Sequence, residues 1–365
     1  MKVSSSLRQN VFGWLLISPF ALSLILFFLY ALIKTIAYSF TSYDLFNEPK
    51  WVGLRNYISL FTDPLFFRAL ANTFSFSIIV TLIQTTLALL LAVALNAQIK
   101  AKGFFRTVYY IPSIMSSAAV TLIFVWVYQK NGFLNQLLGT IAGNQQPLLF
   151  FAISAVTCQL CQVLISRRKN ADIKITDPFY ALISVLVGFT LTIALIKLDF
   201  IHVTDEKVAL AWLGTRDLIG PLPLTLWAVV IQNIFTTVPT LMLLFLAGLQ
   251  GISDDLYESA SVDGANAWQQ LWHITVPQLA PVTFVVITMG IIGTLQMFDQ
   301  VALLGSGVPL ESRITLAFYV YHYAFPDGTS PQIGIASASA LVLGMLTLVL
   351  VFIQKRIGIK EQSDG

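Results

Sequence analysis

Eight long stretches of this chain contain no Asp, Glu, Lys or Arg, at about 11–33, 71–96, 107–129, 147–165, 178–196, 221–249, 278–298 and 333–353. A bilayer hydrocarbon core of ~30 Å needs about 20 apolar residues for each helical crossing. Only 11% of residues are charged, where a soluble domain carries roughly a quarter. The pattern predicts an all-α integral membrane protein with about eight transmembrane helices. The runs at 147–165 and 178–196 are the shortest, and the first of them includes glutamines. The N-terminal "MKVSSSLRQN" resembles the charged region of a signal peptide. However, the uncharged stretch after it reaches from Gln9 to Ile33, longer than a cleavable hydrophobic region of about 7–15 residues. It is expected to remain as the first span.

The Lys/Arg bias sets the expected orientation. With the N-terminus inside, the inner segments hold Lys2 and Arg8; Lys100, Lys102 and Arg106; Arg167, Arg168, Lys169 and Lys174; and Lys355, Arg356 and Lys360. These are 12 of the 21 basic residues, so both termini are expected in the cytoplasm. A net charge of +3 implies no polyanionic partner and no nucleic acid. Cys158 and Cys161 sit in an apolar run as C-Q-L-C. Without further ligands nearby they read as small membrane-buried side chains rather than a zinc site.

One inner loop departs from the bias. Residues 250–273 contain no Lys or Arg, yet carry Asp254, Asp255, Glu258 and Asp263. Ser253 is a candidate N-cap, with two carboxylates following at the positive end of a helix dipole. Leu256, Tyr257, Ala260 and Ser261 recur at helical spacing and give one largely apolar face. Gly264 can adopt the left-handed conformation that ends a helix. A second short helix is expected from near Ala265, with Trp268, Leu271 and Trp272 along it, and Pro277 and Pro281 opening the next span. The passage therefore predicts two short amphipathic helices meeting at a glycine corner. A membrane-surface anchor would carry Lys/Arg on its polar face. The acids favour a dock for another protein.

The segments Glu258-Ser259-Ala260, Asp263-Gly264-Ala265 and Ile274-Thr275-Val276-Pro277 resemble the coupling-loop motif of permease subunits in ATP-binding-cassette importers, Glu-Ala-Ala, Asp-Gly and Ile-x-Leu-Pro. Ser259 and Val276 are its departures. "SFTSYDLFNEPKWVGLRNYISLFTDPLFFRALANT", "NAQIKAKGFFRTVYYIPSIMSS", "FLAGLQGISDDLYESASVDGA" and "GTLQMFDQVALL" are similar to carbohydrate-type permeases in the same order. The resemblance implies a bacterial inner-membrane, multi-pass protein with a six-span core. Residues 1–143 would supply its first three spans and 208–365 the last three, with the coupling loop at 250–277. Residues 144–207, around the basic turn "SRRKNADIKITD", would be an inserted transmembrane hairpin.

The resemblance also implies partners: a separate ATPase subunit, a second permease and an extracytoplasmic solute-binding protein, besides the lipid bilayer itself. A heterodimer of permeases is expected, with a homodimer as the alternative. This chain has no G-x-x-x-x-G-K-[ST] loop, so ATP and Mg belong to the partner and no cofactor is expected in this subunit. By resemblance, Glu258, Ala260, Asp263, Gly264, Ala265 and Pro277 would couple the chain to the ATPase. Glu258 would pair with a basic or amide group there, and Gly264 would set the corner. Trp268 and Trp272 would hold the elbow against its own bundle.

A pathway for a sugar-like solute needs hydrogen-bonding groups at membrane depth, where polar side chains are costly enough to face inward. Gln232 and Thr236, and Asn233 with Thr237, are four residues apart on neighbouring stripes. Pro239 follows and is expected to loosen the helix. Asn72, Ser75, Gln84, Thr294, Gln296 and Asp299 are further candidates, with interhelical hydrogen bonding as the alternative role for each. A membrane-embedded enzyme is disfavoured because His202, His273 and His322 lie in loops or near span ends. An ion-coupled secondary transporter, the alternative reading, would place an ionisable group near mid-membrane, and the eight runs contain none. No basic residue in the runs meets a phosphorylated solute, so a neutral carbohydrate is the expected cargo.

Overall fold

The computed structural model describes residues 5–96, 102–168, 178–198, 200 and 210–363. Lys2, Lys100, Lys169, Lys174 and His202 lie outside the described residues. The chain opens with α1 (Ser5–Ser23), a π turn at Leu24–Leu29 and α2 (Tyr30–Ser39). The first span is predicted to end at Ile33, but the helix continues for six residues beyond it to Ser39. This places Lys34 inside a span, against expectation. Its ammonium lies 5.7 Å and 5.9 Å from the Tyr30 and Tyr38 rings, near a helix end where a long side chain can reach water.

Strands β1 (Thr41–Ser42) and β2 (Lys50–Trp51) pair antiparallel and lead to α3 (Arg55–Thr62) and α4 (Pro64–Asn96). The 33-residue α4 starts well before its apolar run. Asp63 accepts the Leu65 amide at 2.9 Å, and proline suits a first helical position. The third run, predicted as one helix, breaks into α5 (Lys102–Ile114) and α6 (Ser117–Val127). Pro112 withdraws a helix donor, and the Ser113 hydroxyl donates back to the Tyr110 carbonyl at 2.8 Å. Then come α7 (Phe133–Gly143), α8 (Gln145–Arg168) and α9 (Pro178–Lys197). Strands β3 (Leu218–Ile219) and β4 (Leu222–Pro223) turn at Gly220, φ +63°, into α10 (Leu224–Leu249).

The remaining elements are α11 (Asp254–Val262), α12 (Ala267–Gln270), a second π turn at Leu271–Thr275, α13 (Val276–Gln278), α14 (Ala280–Leu295), α15 (Asp299–Ala302), α16 (Leu310–Arg313), α17 (Leu316–Ala324) and α18 (Ile333–Ser363). Among the described residues, six helices are long and apolar enough to cross a membrane, and Ser117–Val127 and Ile183–Lys197 are shorter apolar helices.

Residues 1–122 with 214–365 form one compact unit and 123–213 another. In the larger unit, α4 packs against α10 and α14. The backbone of α14 comes so close that a Cβ on Gly290 would stand 2.5 Å from Gln84 Nε2 and 3.1 Å from Thr81 Cγ2. Small residues permit such approach where the lipid tails are as apolar as the side chains. One core cluster gathers Leu60, Phe66, Phe76, Leu226, Leu316 and Tyr319; a second gathers Ala88, Ala92, Met242, Phe245, Leu279 and Val286. In the smaller unit, α8 and α9 pair as a hairpin. Ser184 donates to Gln159 Oε1 at 2.6 Å, and a Cβ on Gly188 would lie 3.1 Å from Ala155 Cβ. Trp212 donates to Asn135 Oδ1 at 2.9 Å, while Asn135 Nδ2 donates to the Leu210 carbonyl at 2.9 Å.

The segment between α14 and α18 is latched onto the start of α4. Asp63 Oδ2 accepts from the Tyr319 hydroxyl at 2.7 Å and the Tyr323 hydroxyl at 2.9 Å. Asn72 Nδ2 donates to the Ile314 carbonyl at 2.9 Å, and Thr73 Oγ1 accepts the Leu316 amide at 2.8 Å. Burial first, then the bond to Asp63, push the Tyr319 hydroxyl above its ordinary 10.0; burial also raises Tyr323. A raised tyrosine pKa favours the protonated donor, so the tyrosines' contribution to the latch is fully present below pH 10 and is lost on the alkaline side as pH rises through their raised values. Asp63→Ala strands two hydroxyls and is expected to cost about 1–3 kcal/mol, read as a lower thermal unfolding midpoint in detergent. Tyr319→Phe should cost less in the Asp63→Ala background than alone.

Candidate functional site

The acidic elbow is built largely as its residues require. Ser253 caps α11 by accepting the Asp255 amide at 3.3 Å. Gly264 ends it at φ +84°, a left-handed conformation that costs other L-residues roughly 1–2 kcal/mol. The second helix starts at Ala267, slightly later than expected, because Asn266 forms a capping box. Its side chain accepts the Gln269 amide at 2.9 Å, and Gln269 Oε1 accepts the Asn266 amide at 2.8 Å. The two arms are cross-braced. Gln270 donates to Ser261 Oγ at 2.9 Å, and the Tyr257 and Thr275 hydroxyls share a hydrogen bond of 2.9 Å. The π turn at Leu271–Thr275 precedes Pro277, whose ring excludes the ordinary bond to the His273 carbonyl.

Between the arms lies a concavity of about 280 Å³, lined by Ala260, Asp263, Gly264, Ala265, Gln269, Gln270, His273 and Ile274. Glu258 and Pro277 are exposed outside it, and Glu258 has no hydrogen-bond or ion-pair partner among the described residues. The elbow thus offers four carboxylates and no cation of its own, which suits a partner bringing basic or amide groups. Trp268 and Trp272 do not hold it against the bundle, contrary to expectation. They are 66% and 52% exposed and pack edge-on against each other, centroids 5.8 Å apart.

The pathway candidates divide by what they touch. Gln232 donates to Thr121 Oγ1 at 2.6 Å, and Asn233 donates to Gln300 Oε1 at 3.2 Å. Thr237 donates to Gln84 Oε1 at 2.9 Å and Thr236 to the Asn233 carbonyl at 3.0 Å. Ser77 and Thr294 share a hydrogen bond of 2.7 Å. The Thr237–Gln84 and Ser77–Thr294 bonds make a polar seam joining α4 to α10 and α14, while Gln232 reaches α6 and Asn233 reaches α15; Asn233 Oδ1 and Thr81 Oγ1 are buried without a partner among the described residues. Pro239 does not interrupt α10, which runs unbroken from Leu224 to Leu249. Asn72 belongs instead to the latch described above, whereas Gln296 and Asp299 are exposed. Thr121, Gln300, Asn266 and Tyr257 escape sequence reasoning. Thr121 and Gln300 carry no periodic signal and their partners are 111 and 67 residues away, whereas the Asn266–Gln269 capping box is local and legible as an Asn followed three residues later by Gln.

Residues 84–358 match the family model for the binding-protein-dependent transport system inner membrane component. The chain is 28% identical over 359 residues to a probable ABC transporter permease protein, YesP, of Bacillus subtilis, covering 96% of this chain and 93% of that one. It is 27% identical over 356 residues to the lactose transport system permease protein LacF of Rhizobium radiobacter, covering 96% and 95%. Its fold is similar, with a TM-score of 0.66 and 18% identity over 97% of each chain, to one in the crystal structure of a bacterial ABC transporter involved in alginate import.

The capping box makes a local prediction. Asn266→Ala removes the cap and should cost about 1 kcal/mol of local helix stability. Hydrogen exchange should speed up across 266–275 while protection in α4 and α10 is unchanged.

Proposed function

The chain belongs to the family of binding-protein-dependent transport system inner membrane components and is a pore-forming permease subunit of an ATP-binding-cassette importer, and from that premise we propose that it carries a sugar, using its acidic elbow to receive the stroke of a separate ATPase. The observation that carries this reading is the elbow itself: a braced corner at Gly264, φ +84°, on a concavity of about 280 Å³ lined by Asp263, with Asp254, Asp255 and Glu258 exposed elsewhere on the elbow. A rigid corner transmits force, and a carboxylate-rich surface recognises cations on a partner. Glu258, Ala260, Asp263, Gly264, Ala265 and Pro277 are the coupling surface in this reading.

The relatives named for lactose and for multiple-sugar transport support a neutral carbohydrate cargo. The polar seam of Gln232, Asn233, Thr236 and Thr237, with Gln296 and Asp299 nearer its exposed end, supplies hydrogen-bonding groups for hydroxyls once the helices part. An alginate importer has been solved with its oligosaccharide-bound periplasmic protein, which supports delivery by an extracytoplasmic binding protein here too. ATP and Mg would sit in the ATPase, and a second permease would complete the pore. Both termini would face the cytoplasm, with all eight apolar helices crossing: six in the core and the α8–α9 hairpin added to it. Rigid-body rocking of the helices would alternate access.

Gly264→Asp tests the coupling. A Cβ there meets nothing within 4 Å, so the strain of a side chain at φ +84°, roughly 1–2 kcal/mol, stays at the corner; the chain should still insert, but the new carboxylate occupies the docking corner. Uptake in proteoliposomes should fall roughly tenfold or more, within the usual range of coupling energies, while basal ATP hydrolysis persists. Unchanged uptake would refute the dock. Deleting residues 147–198 is expected to leave coupled ATP hydrolysis measurable; a complex that no longer assembles would show that the hairpin is more than an addition.

A further inference from the structure

The two tryptophans of the elbow belong neither to its concavity nor to the packed interior. The segment from Gln269 to Ile274 lines the concavity through Gln269, Gln270, His273 and Ile274, while Thr275 is buried. Trp268 and Trp272 project on a side of their own. Trp268 stands in α12 and Trp272 in the π turn that follows it, and the two rings meet edge-on, centroids 5.8 Å apart. Two indoles with this much exposure on a surface turn need an occupant.

We propose that Trp268 and Trp272 are a lipid-facing foot, seated in the headgroup layer of the bilayer beside the entry of α14. The chain reaches the span at Ala280 eight residues after Trp272, about 12 Å of helical rise. Pro277 and Pro281 flank Leu279, where the backbone leaves helical geometry at ψ 1°, so the segment can lie down along the surface rather than stand away from it. At that rim, α14 and the end of α18 are tied together: Gln354 accepts from Thr288 at 3.1 Å and donates to the Phe284 carbonyl at 3.1 Å. Phe352 beside it is 58% exposed under the Arg356 guanidinium, 5.2 Å from the ring centroid. Trp is enriched at membrane–water interfaces, where its amphipathic ring sits at the headgroup level, and this pair stands on the approach to that rim.

Charge selects how the elbow can meet lipid. It has four acids and no Lys or Arg, so its polar face is repelled by an anionic leaflet. The uncharged indoles, apolar in body with one N–H donor, are the part that lipid accepts. The elbow then has two working sides, a foot on the bilayer and, across its corner, a concavity lined by Asp263 for a protein. A stroke delivered to the concavity pivots about the foot and moves α14. The foot is a separate surface from the dock, so this inference can fail while the coupling role of Gly264 stands.

The test compares tryptophan emission from the full chain, assembled in its transporter complex, with that of the Trp268→Phe/Trp272→Phe variant. Both are reconstituted in phosphatidylglycerol-containing vesicles with either ordinary or 6,7-dibrominated phosphatidylcholine. The difference spectrum isolates these two of the seven tryptophans. The foot predicts that most of the difference emission is lost in brominated vesicles and that iodide in the buffer leaves it intact. Quenching by iodide without bromolipid quenching means a water-exposed pair and overturns the proposal. Protection from both means a protein cover and overturns it too; Trp268→Cys in a Cys158→Ser/Cys161→Ser background, crosslinked and digested, would then identify the covering subunit. Should the double variant fail to assemble, a nitroxide on Trp268→Cys reads depth directly, and a label more accessible to aqueous nickel chelate than to oxygen has the same overturning weight.

Discussion

The approach of α4 to α10 and α14 sets the rest of the larger unit. In a bilayer no hydrophobic gain accompanies helix association, so contact must come from close packing and from hydrogen bonds. Gly290 provides the first, leaving no room for a methyl group beside Gln84 and Thr81. The Ser77–Thr294 and Gln84–Thr237 bonds provide the second. Both sit on the same seam, so close packing and hydrogen bonding hold the helices together at one surface; in the proposed function that surface would also part for the solute. Each hydrogen bond between neutral side chains is worth only about 1 kcal/mol net, so the seam would be cheap to part and, in the proposed function, a sugar hydroxyl would take the place of a lost bond.

The two ends of α4 and α14 are treated differently. At one end the Asp63 latch joins residues more than 250 positions apart in sequence and fixes the segment from Ile314 to Tyr323 against the start of α4. At the other end the elbow is braced within itself: Tyr257 to Thr275, Ser261 to Gln270, Asn266 to Gln269. A part braced internally and joined to the bundle through α14 can move as a body, as the proposed coupling role would require. The smaller unit is likewise held by its own bonds, through Ser184–Gln159 and through Asn135 with Trp212.

Much of the elbow was legible beforehand because its determinants are local. A serine cap, two acids in the first turn and a glycine at the corner act within one or two turns, and the structure places each as required. The tryptophans differ from their sequence expectation for the opposite reason. Their spacing shows that they share a face, but spacing cannot say whether that face meets the bundle, and the π turn that orients them follows from Pro277 and tertiary bracing. Lys34 was misplaced because the end of an uncharged run is not the end of a helix; two tyrosines one turn either side carry its charge to the helix end.

By itself the sequence determined the solvent, the approximate position of the apolar helices and the chemistry of the acidic elbow, because hydrophobic run length, capping and glycine conformation are properties of neighbouring residues. Only the tertiary structure decided the partners of the buried polar groups. Asn72 could equally have faced a solute, and folding gave it the Ile314 carbonyl 242 residues away; Gln232 found Thr121, and Asn233 found Gln300. A lone amide in an apolar run states that it must be satisfied, while the identity of the group that satisfies it depends on which helix surfaces fit closely enough to meet.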